Sequence, residues 1–430
     1  MLSKVDNELL TRIGPGTPMG NLMREYWVPV MPSSDLPESD GAPLRIRLLC
    51  EDLIAFRDTG GRVGMLGAHC AHRGASLFFG RNEEAGLRCV YHGWKYDVAG
   101  KCVDMPNEPP ESNFKDKIRQ VAYPCREQGG VIWTYMGPRA VPPPLPELEW
   151  TRVPENQRIL SPFLRECNWM QALEGDIDTA HLYFLHSRLD PLEDDGDRSG
   201  TTGVYHEDRH PHLELVETDY GMMYGARRDE GDSHHYWRIT QFMFPFHTFF
   251  PPGGFQGVPG HMWIHLDDEH TMVWSLGWDP NGPVPQRDRF RAGAGGAFLP
   301  PTSDPLVRRR LAANKDNDYM IDREAQRTAT FTGIPTIPLQ DQAVTESMGP
   351  IYDRTQEHLG STDAMIIQVR KRLIDAAKAV RDSGVTPPCV DEPWLYGVRS
   401  ASLVLPRDVD WKDQTRDILK AFSGMPVATV

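Results

Sequence analysis

The chain has 430 residues, with 46 Lys and Arg against 60 Asp and Glu and a formal net charge of −14. That length allows two or three domains with a large core, and the acidic balance excludes a protein that grips a nucleic-acid backbone through a basic face. No apolar run reaches a membrane span, MLSKVDNELL has no signal core, and seven cysteines make no disulfide framework, so a cytoplasmic protein is expected.

Residues 1–40 read as a helical lead: NELLTRI, the turn GPGTP, then NLMREYW. Residues 41–140 read as a small all-β domain. APLRIRLLC, LIAFRD, GRVGMLG, LRCVYH, WKYDVAGKC and GVIWTYMG are short β-branched or aromatic runs between Gly and Asp turns. PRAVPPPLPELE (138–149) reads as a Pro-rich linker. Residues 150–430 then form a larger domain. A helical stretch over 165–190 precedes HLELVETDYGMMYGARR, HHYWRITQFMF, GHMWIHLDD and HTMVWSLGW, which suggest one antiparallel sheet. Residues 305–330 and 341–382 are helix-like, and Ile366, Val369, Leu373 and Ala377 form one apolar stripe. The basic runs at 308–310 and 370–372 read as solvated helix faces, and 190–203 and 279–304 as mobile loops. The fold class expected is α+β, a small all-β domain beside an antiparallel sheet flanked by helices.

Chemistry first surfaces in CAHRGASLFFGRNEEAGLRCVYHGW. Cys70-x-His72 and Cys89-x2-His92 are two mixed pairs with sixteen residues between them. A structural zinc usually pairs Cys with Cys and His with His. A Rieske [2Fe–2S] centre needs two Cys on one iron and two His on the other, which two adjacent loops supply if each lends one of each. The mixed pairing therefore favours the Rieske centre. His69 falls outside the spacing and is a bystander. Cys50, Cys102, Cys125, Cys167 and Cys389 have no partner at ligand spacing and read as ordinary small buried or half-buried residues.

A Rieske centre only carries electrons, so the chain should hold something that receives them. In NWMQALEGDIDTAHLYFLH, Asp178 and His181 share a helix face. His186, five after His181, is off that face by roughly 140°. A helix end or bulge must intervene if both histidines are to meet one ion. Non-haem Fe(II) oxygenases use two His and one carboxylate on one face. Asp341, Glu346 and Asp353 in QDQAVTESMGPIYDR are the candidates for the third ligand, and Asp178 is a candidate to orient a ligand histidine.

These motifs, with DQAVTESMGPIYDRTQEHLGSTD, resemble the oxygenase α subunit of Rieske non-haem iron ring-hydroxylating oxygenases, in the phthalate dioxygenase-like group. The resemblance spans nearly the whole chain. It implies Cys70, His72, Cys89 and His92 as cluster ligands, and His181, His186 and Asp341 as ligands of a mononuclear Fe(II). It implies a homotrimer, or two stacked trimers, in which Asp178 bridges His181 to His92 of the partner subunit. It also implies electrons from NADH through a separate flavin/[2Fe–2S] reductase, and cis-dihydroxylation of an aromatic carboxylate with O2. The alternative is a Rieske monooxygenase such as an aryl ether O-demethylase.

A carboxylate substrate in an apolar pocket needs a cation, best an Arg. Arg238, in the apolar YWRITQF, is the first candidate and Arg209 the second, both assigned to the catalytic sheet; Arg227 and Arg228 are neighbours. Thr179 is a candidate hydroxyl donor. Phe242, Phe244, Phe246 and Phe249 read as core with a possible role as ring-stacking wall.

Overall fold

The computed structural model describes residues 1–189, 208–251, 257–286 and 295–424. The expected loop at 190–203, and residues 287–294 of the expected loop at 279–304, lie outside the described residues.

The strands of the first unit are β1 (Trp27–Pro32), β2 (Leu44–Leu48), β3 (Glu51–Arg57), β4 (Val63–Gly67), β5 (Arg81–Glu83), β6 (Gly86–Arg88), β7 (Lys95–Tyr96), β8 (Cys102–Asp104), β9 (Ala122–Tyr123), β10 (Cys125–Gln128) and β11 (Val131–Tyr135). They form three small sheets, ordered β1-β11-β10, β2-β3-β4-β9 and β5-β6-β7-β8. The last carries its own core of Leu87, Trp94 and Tyr96 beneath the Cys/His loops. One difference from the sequence expectation is β1. It lies inside the segment expected to be a helical lead, yet pairs antiparallel with β11. The helices Lys4–Thr11 and Pro18–Arg24 are where that lead was expected, and both pack on the helix Ala364–Ser383.

In the second unit β12 (Arg158–Arg165), β13 (His212–Thr218), β14 (Gly221–Glu230), β15 (His234–Met243), β16 (His247–Phe249), β17 (Val258–His265), β18 (Thr271–Trp278) and β19 (Ala401–Pro406) form one antiparallel sheet. Its order is β12-β18-β17-β16-β15-β14-β13, with β19 also on β15. Strand alternation sets Tyr224, Ala226 and Arg228 of β14 opposite Thr240, Arg238 and Tyr236 of β15, all on the face toward the main core. Trp237 and Ile239 face the other way, onto Trp411.

The helical expectations are met in part. Helix Ala364–Ser383 buries Ile366, Val369, Leu373 and Ala377 as the stripe requires. The span 341–382 is two helices, because Ile337–Ser347 stops before Gly349, at φ +89, and Pro350. Within 305–330, α-helix covers only Arg323–Thr328. The run at 308–310 is not a solvated face, and in 370–372 Lys371 is exposed as expected while Arg370 is buried. Arg309 holds both oxygens of Asp35 at 2.7 Å, and Arg310 lies 2.8 Å from Glu166. The Pro-rich 138–149 segment is docked rather than loose: Trp27 Nε1 donates to Pro143 O at 2.7 Å, and Leu148 is fully buried. A single apolar core runs from Leu53 and Trp133 to Trp274 and Leu373, so the two units share it.

Helix Trp169–Asp176 leads into the second metal motif, and its Glu174 is buried. Arg354 grips Glu174 at 3.0 and 3.1 Å and Arg370 at 2.6 Å. Burial pushes this carboxyl up, but the charges of Arg354 and then Arg370 outweigh it and hold the group below the usual glutamate range. Glu174→Ala would leave buried Arg354 with no carboxylate and Arg370 with Glu357 alone, and cost about 3–5 kcal/mol, read as a fall in the thermal midpoint. A depressed carboxyl stabilises the fold fully above its unfolded value, and the stabilisation fades as pH falls through the native one. The midpoint difference between parent and variant should therefore shrink in acid.

Candidate metal centres and active site

Cys70 and Cys89 sit in two loops of one design. Cys70 N donates to Ala75 O at 2.8 Å and Gly74 N to Cys70 O at 2.9 Å. Cys89 N donates to Trp94 O at 2.8 Å and Gly93 N to Cys89 O at 3.0 Å. Both glycines have positive φ, +74 and +78, which an L side chain strains to adopt. Each loop thus turns back on its cysteine within five residues and lifts a histidine beside it. The rings of His72 and His92 lie 4.5 Å apart, and His72 stacks on Trp94 at 4.2 Å. Tyr96 OH lies 3.2 Å from Cys70 Sγ. Burial pushes the Cys89 thiol up.

This donor set fits a [2Fe–2S] group. The buried Nδ1 of His72 has no hydrogen-bond partner, although buried ring nitrogens normally find one. Two thiols and two imidazoles converge there, and a metal satisfies what the protein leaves open. His69, the bystander, bonds Gly74 O through Nδ1 at 3.0 Å and braces its loop.

The second site forms where the helix Trp169–Asp176 ends. Asp178 and His181 do not share a helix face, because the helix stops at Asp176. Asp178 Oδ1 instead accepts from Ala180 N at 2.7 Å, closing a tight turn that brings Oδ2 to 3.3 Å from His181 Nδ1. A single helical turn, Leu182–Leu185, follows and ends at His186. The interruption that the five-residue spacing requires is therefore present.

His181 Nε2 and His186 Nε2 lie 3.1 Å apart. Asp341 Oδ1, from helix Ile337–Ser347, lies 3.2 Å from His186 Nε2 and 3.7 Å from His181 Nε2. Imidazole binds a divalent first-row ion at about 2.1 Å, so two donors at right angles around it stand about 3 Å apart. Three donor atoms at these separations would suit a divalent ion held by two imidazoles and one carboxylate. The ligand atoms of His181, His186 and Asp341 all lie within 4.8 Å of one another, close enough to hold a metal ion. Burial pushes the Asp341 carboxyl up, but the charge and hydrogen bond of His186, then His181 and Arg165, bring it down to about 2. It is an anion at neutral pH. Burial lowers the His181 imidazole, but the hydrogen bond to Asp178 and the charge of Asp341 outweigh it and raise the group.

The other two carboxylates are used elsewhere. Glu346 accepts from Glu166 N and Gln342 Nε2 at 2.7 Å and from Tyr319 OH at 2.5 Å. Asp353 is exposed and closes a turn onto Thr355.

A cavity of about 380 Å³ opens at His181, walled by Phe184, Leu185, Ile321, Phe331 and Ile334, with Gln326 and Thr332 as its polar groups. That volume is in the range of small-molecule sites.

The proposed substrate residues divide. Arg238 is buried on the inward face of β15, with Nη2 donating to Pro251 O at 3.2 Å. Arg209 is corrected. It lies before β13, outside the sheet, exposed, with its guanidinium 4.3 Å over the Tyr183 ring. Thr179 is buried against Arg228, whose Nη2 donates to Thr179 O at 2.9 Å and also reaches its hydroxyl at 3.4 Å. Arg227 faces outward, opposite Trp237. Phe242, Phe244, Phe246 and Phe249 are core. Sequence reasoning missed Gln340, whose Oε1 lies 2.8 Å from His186 Nδ1, and Arg165, a buried cation acting on Asp341.

A family model described as the Rieske [2Fe-2S] domain matches residues 26–122, and one described as LigXa C-terminal domain like matches residues 134–423. The 3-chlorobenzoate-3,4-dioxygenase oxygenase subunit of Comamonas testosteroni is 42% identical over 421 residues, 95% of this chain and 96% of its own. The phthalate 4,5-dioxygenase oxygenase subunit of Pseudomonas putida is 36% identical over 422 residues, 96% of this chain and 94% of its own. Among solved structures, the NdmA QL mutant of Pseudomonas putida CBB5 with caffeine superposes with a TM-score of 0.59 at 18% identity, over 91% of this chain and 99% of that one. At that identity the likeness concerns the fold.

Proposed function

The chain belongs to the Rieske non-haem iron ring-hydroxylating oxygenases, in the phthalate dioxygenase-like group, and from this premise we propose that it cis-dihydroxylates an aromatic carboxylate of the benzoate or phthalate class. It is the oxygenase component of a system whose electrons come from a partner protein. We assign that role to an NADH-dependent flavin/[2Fe–2S] reductase, and the compartment to the cytoplasm, where NADH is at hand. The five cysteines outside the cluster loops, none in a disulfide, agree with a reducing compartment. Among the described residues no helix is long and apolar enough to cross a membrane.

The observation that carries this reading is the His181, His186 and Asp341 face opening beside an aromatic-walled cavity. In it, Cys70, His72, Cys89 and His92 hold the [2Fe–2S] group, and the triad holds a ferrous ion. When bound, the first supplies single electrons and the second activates O2. The chain's own groups do the positioning. Asp178 orients His181 through its Nδ1. Phe184 and Phe331, with rings 5.6 Å apart on the cavity wall, offer apolar faces to the substrate ring. Arg238 and Arg228, buried on the inward face of the sheet, provide the positive field for the substrate's carboxylate. The active unit is a trimer, in which His92 of the partner subunit meets Asp178. Both ends suit that contact: Asp178 is 23% exposed, and Tyr91, whose ring lies tilted 3.9 Å from that of His92, is 57% exposed.

The test is O2 uptake with product identification on 3-chlorobenzoate, phthalate and phenoxybenzoate, each beside its neutral amide. The acids should give cis-diols. A phenol with formaldehyde from a methoxy acid would move the assignment to an O-demethylase. Arg238→Ala should lower kcat/KM for the acid about 10–100-fold, the worth of a charged hydrogen bond, and leave the amide unaffected. Equal losses on both would remove Arg238 from substrate binding.

A further inference from the structure

The two imidazoles of the triad are held from behind by unlike acceptors. His181 Nδ1 meets a carboxylate, Asp178, at 3.3 Å, whereas His186 Nδ1 meets the neutral amide of Gln340, with Oε1 at 2.8 Å. The orientation of that amide follows from its other bond. Gln340 Nε2 donates to Ile334 O at 3.0 Å, and a carbonyl only accepts, so Oε1 is the end that faces His186. An amide oxygen also only accepts. His186 Nδ1 therefore carries the proton, and the Nε2 lone pair points into the gap shared with His181 Nε2 and Asp341 Oδ1. Gln340 is 6% exposed and His186 7%, so bulk water does not stand in for either bond. The second anchor, Ile334, also lines the cavity beside His181.

We propose that Gln340 is a positioning residue of the metal site, which fixes the tautomer and ring plane of His186 and so makes its Nε2 a ligand. A neutral acceptor leaves His186 a weaker donor than carboxylate-backed His181, so the two histidines of the triad are electronically unequal. This inference rests on reading the triad as the iron site.

The test uses the full-length oxygenase with its [2Fe–2S] group in place. The labile iron is removed and Fe(II) alone is returned by equilibrium dialysis under argon, with iron assayed chemically. Gln340→Leu removes the acceptor. Its Fe(II) affinity should fall about 10–100-fold, while the visible absorbance of the cluster stays that of the parent. Gln340→Glu keeps an acceptor oxygen whether or not it is protonated and should bind Fe(II) at least as tightly as the parent. A leucine variant that binds Fe(II) as tightly as the parent overturns the proposal. So do equal losses in both variants, which would make the side chain mere packing. A parent that takes up no Fe(II) beyond its cluster overturns the triad reading itself, and that result is distinct from either.

Discussion

Asp341→Ala is expected to leave the [2Fe–2S] group intact and abolish the mononuclear iron. Iron should fall from about three to about two atoms per chain, and product formation by more than the roughly 10–100-fold that loss of an outer partner costs. The reason is charge and geometry together. His181 and His186 are neutral donors, and Asp341 is the anion whose Oδ1 stands 3.2 and 3.7 Å from their Nε2 atoms. Two imidazoles alone are a weak site for a ferrous ion in competition with water. Asp341→Asn keeps an oxygen but not the charge, and should lie between parent and alanine in iron content. Glu346→Ala is the control from the same helix. Glu346 caps Glu166 N and ties down Tyr319 OH and Gln342, so that variant should lose stability but retain its third iron once folded. Full iron in Asp341→Ala would sink the assignment and return the chain to an electron carrier with a binding domain.

The Cys/His loops were legible in the sequence because their structure is local. Each closes its own hydrogen bonds within five residues, so spacing carries the geometry. The sheet was legible for the same kind of reason: β13, β14, β15, β17 and β18 are long, aromatic and separated by clear turns. What failed to show was long-range. Arg309 reads as a solvated charge, but its partner Asp35 is 274 residues away in sequence. Asp341, Glu346 and Asp353 could not be separated by spacing, since all three carboxylates sit in one helix-like run and only packing decides which faces the histidines. Gln340 has no motif at all. Arg209 was a different failure. Pro211, just before β13, marks a boundary that places Arg209 outside the sheet, and that signal was available.

Asp178→Asn should keep the full complement of iron and still cut coupled turnover by about 10–100-fold or more. The asparagine keeps the size of the side chain and one oxygen. That oxygen can still accept from Ala180 N and close the turn that Asp178 makes at 2.7 Å. What disappears is the charge facing His181 Nδ1, a carboxylate that His181 holds down and that in turn raises the imidazole. With that oxygen on Ala180 N, the amide turns an NH2 that cannot accept toward His181 Nδ1–H, and only the carboxylate offers acceptor oxygens to two imidazole N–H groups at once. If the second imidazole belongs to His92 of the partner subunit, the loss appears in electron delivery and not in metal content. Single-turnover oxidation of the reduced cluster separates these. The parent should reoxidise when substrate and O2 are supplied, and Asp178→Asn should reoxidise slowly with the same amplitude. A sharper test mixes two dead variants. Cys89→Ser should lack a working cluster and Asp341→Ala the mononuclear iron, so neither variant alone should turn over. Co-expressed mixed trimers should recover activity, because some interfaces pair an intact cluster of one chain with an intact iron of the next. No recovery in mixed trimers, alongside a normal rate in Asp178→Asn, would mean that each chain feeds its own iron and that Asp178 merely braces His181.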